Sequence, residues 1–247
     1  MFFPRLRRGA KWAFILLIFA FAFTFLFAGV GGGGGGNVIQ DLLGMRGGNP
    51  VKSAEQAVAK NPHSATALSA LAQAYSADQR RGDAINTFEK YLAIKPKDPS
   101  ALSQLGRLQQ EITVLRFNRY AAMQSELLVA NGPLNVDPLQ TLAGADQLLS
   151  AYTSLLSTKV SNAYSSYVTA AKAWEGTFQR YAKAVPITST LQRAQIELQL
   201  AQAASSAGDY ATAINSYETF LRLTPKSPLA PQVKKALAQL RKVSSGG

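Results

Sequence analysis

The chain has 247 residues, 47% of them hydrophobic, with 26 Lys and Arg against 14 Asp and Glu and a formal net charge of +12. It has no cysteine and one histidine, His63, which excludes disulfides, thiolate metal sites and thiol catalysis and leaves little from which to build a transition-metal site. The carboxylates are scattered, and no G-x-S-x-G elbow, Walker A loop or H-E-x-x-H helix occurs. The expectation is a non-enzyme with no catalytic residue, cofactor site or metal site.

Residues 1–11 form a basic flank carrying Arg5, Arg7, Arg8 and Lys11. Trp12 to Val30 then runs for 19 residues without a charge. At 1.5 Å per residue it spans about 28 Å, close to the hydrocarbon thickness of a bilayer. Its bulk comes from Trp12, Phe14, Leu16, Leu17, Phe19, Phe21, Phe23, Phe25, Leu26 and Phe27. A single-pass transmembrane helix over 12–30 is expected, held in the lipid bilayer. The basic flank before it places the N-terminus in the cytoplasm and the rest outside. A cleaved signal peptide is the competing reading, although its apolar core is usually shorter and Phe27-Ala28-Gly29 is a poor small-x-small site. Residues 31–49, with six consecutive glycines, read as a flexible tether. Gly29 to Gly34 formally matches G-x-G-x-x-G, but no strand precedes it and no helix directly follows, so the match is rejected.

Residues 50–110 show helix punctuation. Pro62 and Pro96 are 34 residues apart, and each follows an apolar-periodic stretch that it must end. Asp98-Pro99 reads as a cap and first-turn proline, after which Leu102, Leu105 and Gly106 open another helix. Within this block Leu68, Leu71, Ala72, Tyr75, Ala84 and Phe88 are the expected core. Ala57 is the small contact residue expected one helix earlier, and Thr87 is expected on the exposed face.

Residues 111–190 fit no clean repeat and read as a long helical hairpin or a degenerate repeat. Leu108, Ile112 and Leu115 continue one helical face, Asn131-Gly132-Pro133 stops it, and Asp137-Pro138 restarts a helix. Val160, Tyr164, Tyr167, Ala171, Trp174, Phe178, Tyr181 and Val185 then fall at alternating spacings of 4 and 3, a heptad seam that Pro186 ends. That seam is either the core of an intramolecular hairpin or an intermolecular coiled coil.

Residues 191–243 return to the earlier pattern. Leu200 to Ala230 aligns without a gap on Leu71 to Ala101, with 14 of 31 positions identical. Leu200, Ala201, Ala204, Ala213 and Tyr217 take the core positions, Ser216 the exposed one. Gly208-Asp209-Tyr210 makes the turn where the first copy has Gln79-Arg80-Arg81, and Pro225 closes the unit as Pro96 does. Glu197 stands where the first copy has Leu68, which suggests weaker docking of that helix. Val233, Leu237 and Leu240 line a final helix that suits a solenoid end cap, and 244–247 reads as a disordered tail.

These two copies resemble the tetratricopeptide repeat, a 34-residue helix-turn-helix unit. The resemblance implies an all-α solenoid of helical hairpins, and the whole resembles a membrane-anchored repeat protein of a bacterial envelope. It implies a scaffold for protein partners of unidentified kind at the outer face of the bacterial cytoplasmic membrane. The first helices would present Gln73, Ser76, Gln104, Gln199 and Gln202. The alternatives are self-association through the 160–185 seam and a secreted form after signal cleavage. The charge outside the N-terminal flank is spread thinly, which argues against nucleic acid and fits weak attraction to anionic lipid or cell-wall polymer.

Overall fold

In a computed structural model the described residues are 49–131 and 145–245. They hold eight helices and no strand. These are α1 (Pro50–Lys60), α2 (Ala65–Ala77), α3 (Arg81–Ile94), α4 (Pro99–Ala130), α5 (Ala145–Ala184), α6 (Thr190–Ala207), α7 (Tyr210–Leu223) and α8 (Ala230–Ser245). The expected transmembrane helix (12–30), most of the glycine tether, the Asp137-Pro138 restart and the end of the tail lie outside the described residues. No helix among the described residues is long and apolar enough to cross a membrane.

Side-chain caps fix where the helices begin. Asn49 Oδ1 accepts from Val51 N at 3.0 Å with Pro50 in the first turn, and Ser64 Oγ accepts from Ala67 N at 3.3 Å. Asp98 accepts from Ser100 N and Ala101 N ahead of α4, Ser189 from Gln192 N ahead of α6, and Asp209 from Thr212 N ahead of α7. Each satisfies a backbone donor that the first helical turn leaves open. The second helices end just before the prolines: α3 at Ile94 and α7 at Leu223.

The first block is α1 to α3 with the start of α4. Leu68 and Ala72 of α2 meet Ala84, Phe88, Tyr91 and Leu92 of α3, and Leu102 and Leu105 of α4 complete that core. The last block is α6 to α8, where Ala201, Ala204, Ala213, Tyr217 and Phe220 pack with Val233, Leu237 and Leu240. Alanines at the helix crossings allow the close approach, and the larger residues fill the grooves beside them. Ala57 is only half-buried, and α1 uses Val51 and Ala54 instead.

Between the blocks stands an antiparallel hairpin of α4 (32 residues) and α5 (40 residues), about 48 and 60 Å long. A repeat's first helix would end near residue 111. Here α4 continues because no glycine or proline follows Gly106 until Gly132. Ala171, Trp174 and Phe178 of the seam are buried within the chain, which leaves that part unavailable to a second molecule. Tyr164 is exposed, and Leu156 and Ala163 face inward on that stretch instead. A strict 3.5-residue stripe drifts around a 3.6-residue helix, so the seam rotates out of the interface toward its N-terminal end. Leu115 is 55% exposed, and α4 turns Phe117 and Tyr120 toward α5, with ring centroids 5.4 Å from Tyr167 and 5.3 Å from Tyr164.

Candidate functional site

The first helix of each copy has two working faces. On α2, Leu68 and Ala72 face α3, and Leu71 and Ala74 face Val51 and Ala54 of α1. On α6, Ala201 and Ala204 face α7, and Leu200 and Ala203 face Trp174, Phe178 and Tyr181 of α5. Leu71 and Leu200, with Ala74 and Ala203, are equivalent at the offset of 129. The C-terminal half of α5 therefore stands to α6 as α1 stands to α2.

Of the expected core, Leu68, Leu71, Ala72, Ala84, Phe88, Ala201, Ala213 and Tyr217 are buried. Tyr75 and Leu200 are half-buried, while Pro96, Pro225 and Gly208 lie exposed at turns. Burial pushes the Tyr217 phenol up to about 12. Glu197 does not loosen α6. It pairs with Arg193 at 3.6 Å beside a helix that buries Ala194, Ile196, Leu198, Ala201, Ala203 and Ala204.

Thr87 and Ser216 are buried, not exposed, at 6% and 5%. The Thr87 hydroxyl donates to Asp83 O at 2.7 Å, so its polar group is satisfied along its own helix and the side chain can face the core. Gln199 is likewise buried. The remaining first-helix glutamines and serine, Gln73, Ser76, Gln104 and Gln202, are half-buried. Gln73 Nε2 donates to Ser69 Oγ and Gln104 Nε2 to Ser100 Oγ, each at 3.3 Å, while Ser76 Oγ donates to Ala72 O at 2.8 Å. All are bonds along a single helix, which a bound peptide could exchange at little cost.

A cleft of about 300 Å³ opens beside α6. Gln179, Ala182 and Lys183 of α5, Ile187 of the connection, Arg193, Ile196, Glu197 and Leu200 of α6 and Thr212 of α7 line it. Ile187, Ile196 and Leu200 supply its apolar lining, and Lys183, Arg193 and Glu197 its charged groups. His63 is an exposed turn residue, and no cluster of three metal-ligating side chains occurs among the described residues.

The turns and junctions carry polar networks that sequence reasoning missed. Tyr75 Oη donates to Glu55 at 2.7 Å, and the Arg80 guanidinium lies 4.3 Å over the Tyr75 ring. Arg80 also pairs with Asp83 at 2.8 Å and with Glu55 at 3.6 Å, joining α1, α2 and α3. Tyr91 donates to Asp98, the cap of α4, and burial beside that carboxylate pushes the phenol up to about 12. Arg241 holds Glu218 at 2.6 Å, tying α8 to α7. Glu175 of α5 is buried, and that burial, reinforced by hydrogen bonding to the Asp209 carboxylate, raises its pKa; hydrogen bonds from Thr212 lower that of Asp209. No spacing rule joins residues so far apart in sequence. The available signal was Asp209 itself, a cap position that one more acid could reach.

A family model described as tetratricopeptide repeat matches residues 51–109, and a second of the same description matches residues 198–241. The first match covers α1 to α3 with the start of α4, and the second covers most of α6 through most of α8. No curated protein matches the chain. Over these two stretches, on either side of the long hairpin, the chain is similar to tetratricopeptide repeats.

Proposed function

We propose that this chain is a membrane-tethered scaffold that holds a protein partner at the outer face of a bacterial cytoplasmic membrane. The observation that carries the reading is the pair of tetratricopeptide matches lying on stacked helices. Stacked repeats build extended surfaces that bind other chains, and no group of three metal-ligating side chains accompanies them among the described residues. The polar first-helix positions Gln73, Gln104 and Gln202 and the cleft beside α6 are where a partner would rest. The tether is read from the uncharged stretch 12–30 and the basic residues ahead of it. The same charge would favour weak contact with anionic lipid or wall polymer.

Three experiments test the reading. A reporter fused after Gly247 should be active only outside the cytoplasm; activity confined to the cytoplasm overturns the orientation. Intact mass of membrane-extracted protein should retain residues 1–30, whereas a start near Gly29 makes the chain a secreted form. For the partner surface, a photoreactive residue placed at Gln73 or Gln202 in the full chain should give discrete adducts in cells. The same group at Lys90, exposed on a second helix, should not. Adducts from Lys90 alone would move the binding surface off the first helices.

A further inference from the structure

Beyond Thr113, α4 is held by α5: Arg116 Nη1 donates to Ser166 O at 2.9 Å, the aromatic pairs follow, and Tyr152 Oη donates to Glu126 at 2.8 Å. Two helices facing each other cover one flank of each. Away from those rings, α4 carries Leu115, Arg119, Ala122, Glu126 (at the edge, within reach of Tyr152) and Val129, all exposed, Val129 at 74%. Their spacing is 4, 3, 4, 3, one helical stripe. The stripe is its own complement. Reversed about Ala122, Leu115 falls on Val129 and Arg119 falls beside Glu126.

We propose that this stripe is a two-fold interface between two copies of the chain, with the two α4 helices antiparallel and crossing at Ala122. A two-fold contact requires that residue i meets j while j meets i, which this order of residues provides. Alanine at the crossing lets the helices approach closely, with an apolar pair on either side of it. Arg119 has no ion pair among the described residues. Glu126 gives one oxygen to Tyr152, and its second can receive the guanidinium of the other copy. The Tyr152–Glu126 bond also places the exposed Tyr152 on this flank, along with Leu148 and Leu155, one turn to either side of it on α5. Two such arms together form a four-helix bundle, the usual way for a pair of helical hairpins to cover its apolar flanks. An unrelated partner gives no reason for a stripe whose two halves complement each other.

The chain has no cysteine, so single cysteines report the geometry directly in the full-length protein. Ala122→Cys should form a disulfide-linked dimer on mild oxidation. Leu115→Cys and Val129→Cys alone should not, because each would lie about 20 Å from its own copy, beyond the span of a disulfide. The two mixed together should cross-link. Absence of the dimer at position 122 in a chain that retains its helical circular dichroism overturns the proposal, and so does equal cross-linking at all three single positions. In detergent, Arg119→Glu and Glu126→Arg should each weaken dimerisation at least about tenfold, and the double exchange should restore it. A double exchange as weak as the single changes contradicts the proposed pairing.

Discussion

Gln79 and Gly208 occupy the same place in the two copies and share a left-handed backbone, with φ of 60° and 82°. The bonds around them repeat. Arg80 N donates to Tyr75 O and Asp209 N to Ala204 O, both at 2.9 Å. The turn thus demands positive φ, which glycine adopts freely and glutamine at a cost of about 1–2 kcal/mol. A Cβ at Gly208 meets nothing within 4 Å, so Gly208→Ala isolates the backbone term and should cost about 1 kcal/mol in thermal melts. Gln79→Gly should stabilise the first copy by about 0.5–1 kcal/mol, the relieved strain less the greater entropy that glycine loses on folding. Glu175 makes the second prediction. Its pKa is raised above the ordinary 4.5, chiefly by burial, so between that value and the raised one the folded chain holds a proton that the unfolded chain gives up. That contribution is complete below about pH 4 and is lost as pH rises through the raised folded value. Glu175→Gln keeps a neutral polar group there. Its melting temperature should match the parent's near pH 4 and exceed it near pH 7, the gap opening as pH rises. A parallel pH course in the two proteins would show that Glu175 is not held protonated. At this scale the sequence showed the Asp98 cap and the small contacts at Ala72, Ala84, Ala201 and Ala213, but not the caps Asn49, Ser64, Ser189 and Asp209, and polarity was a poor guide to exposure. Thr87, Ser216 and Gln199 are buried. Thr87 shows why: its hydroxyl bonds within its own turn, a partner that composition does not reveal.

The hairpin of α4 and α5 makes a close approach at Gly106. A Cβ at Gly106 would lie 2.7 Å from Cε2 of Phe178, a ring that is itself buried. Gly106→Ala must push that ring away and should destabilise the chain by about 1–3 kcal/mol, despite alanine's better helix propensity. Circular dichroism on heating checks it; a stabilised variant would mean that the helix packing near residue 106 is looser than drawn. The prolines and caps made most helix ends legible. The length of α4 followed from the absence of a stop signal between Gly106 and Gly132, but its facing did not. Leu115 looked like core by spacing, whereas Phe117 and Tyr120 face α5. Which flank of a long helix is covered depends on the partner helix, and a single helix's periodicity carries no information about that partner.

The described residues, 49–131 and 145–245, belong to one compact unit. The reason lies in α5. Its Tyr181 and Ala184 pack against the core of the first block, and Trp174, Phe178 and Tyr181 pack against Ala203 and Leu200 of the last. The sequence displayed two repeat copies 129 residues apart, without showing what joins them. The join is made by α5, in the place that α1 fills in the first block, where neither family match reaches. The central claim is that this shared helix makes one continuous stack of the two repeat regions. Phe178→Ala tests it most directly, because Phe178 touches Gly106 on one side and belongs to the cluster around Trp174 on the other. Removing a buried phenylalanine costs about 3–5 kcal/mol. Hydrogen exchange of the full chain should then show faster exchange in peptides from α2 and α3 and, equally, in peptides from α6 and α7. Loss of protection confined to one block, with the other unchanged, would contradict the continuous stack.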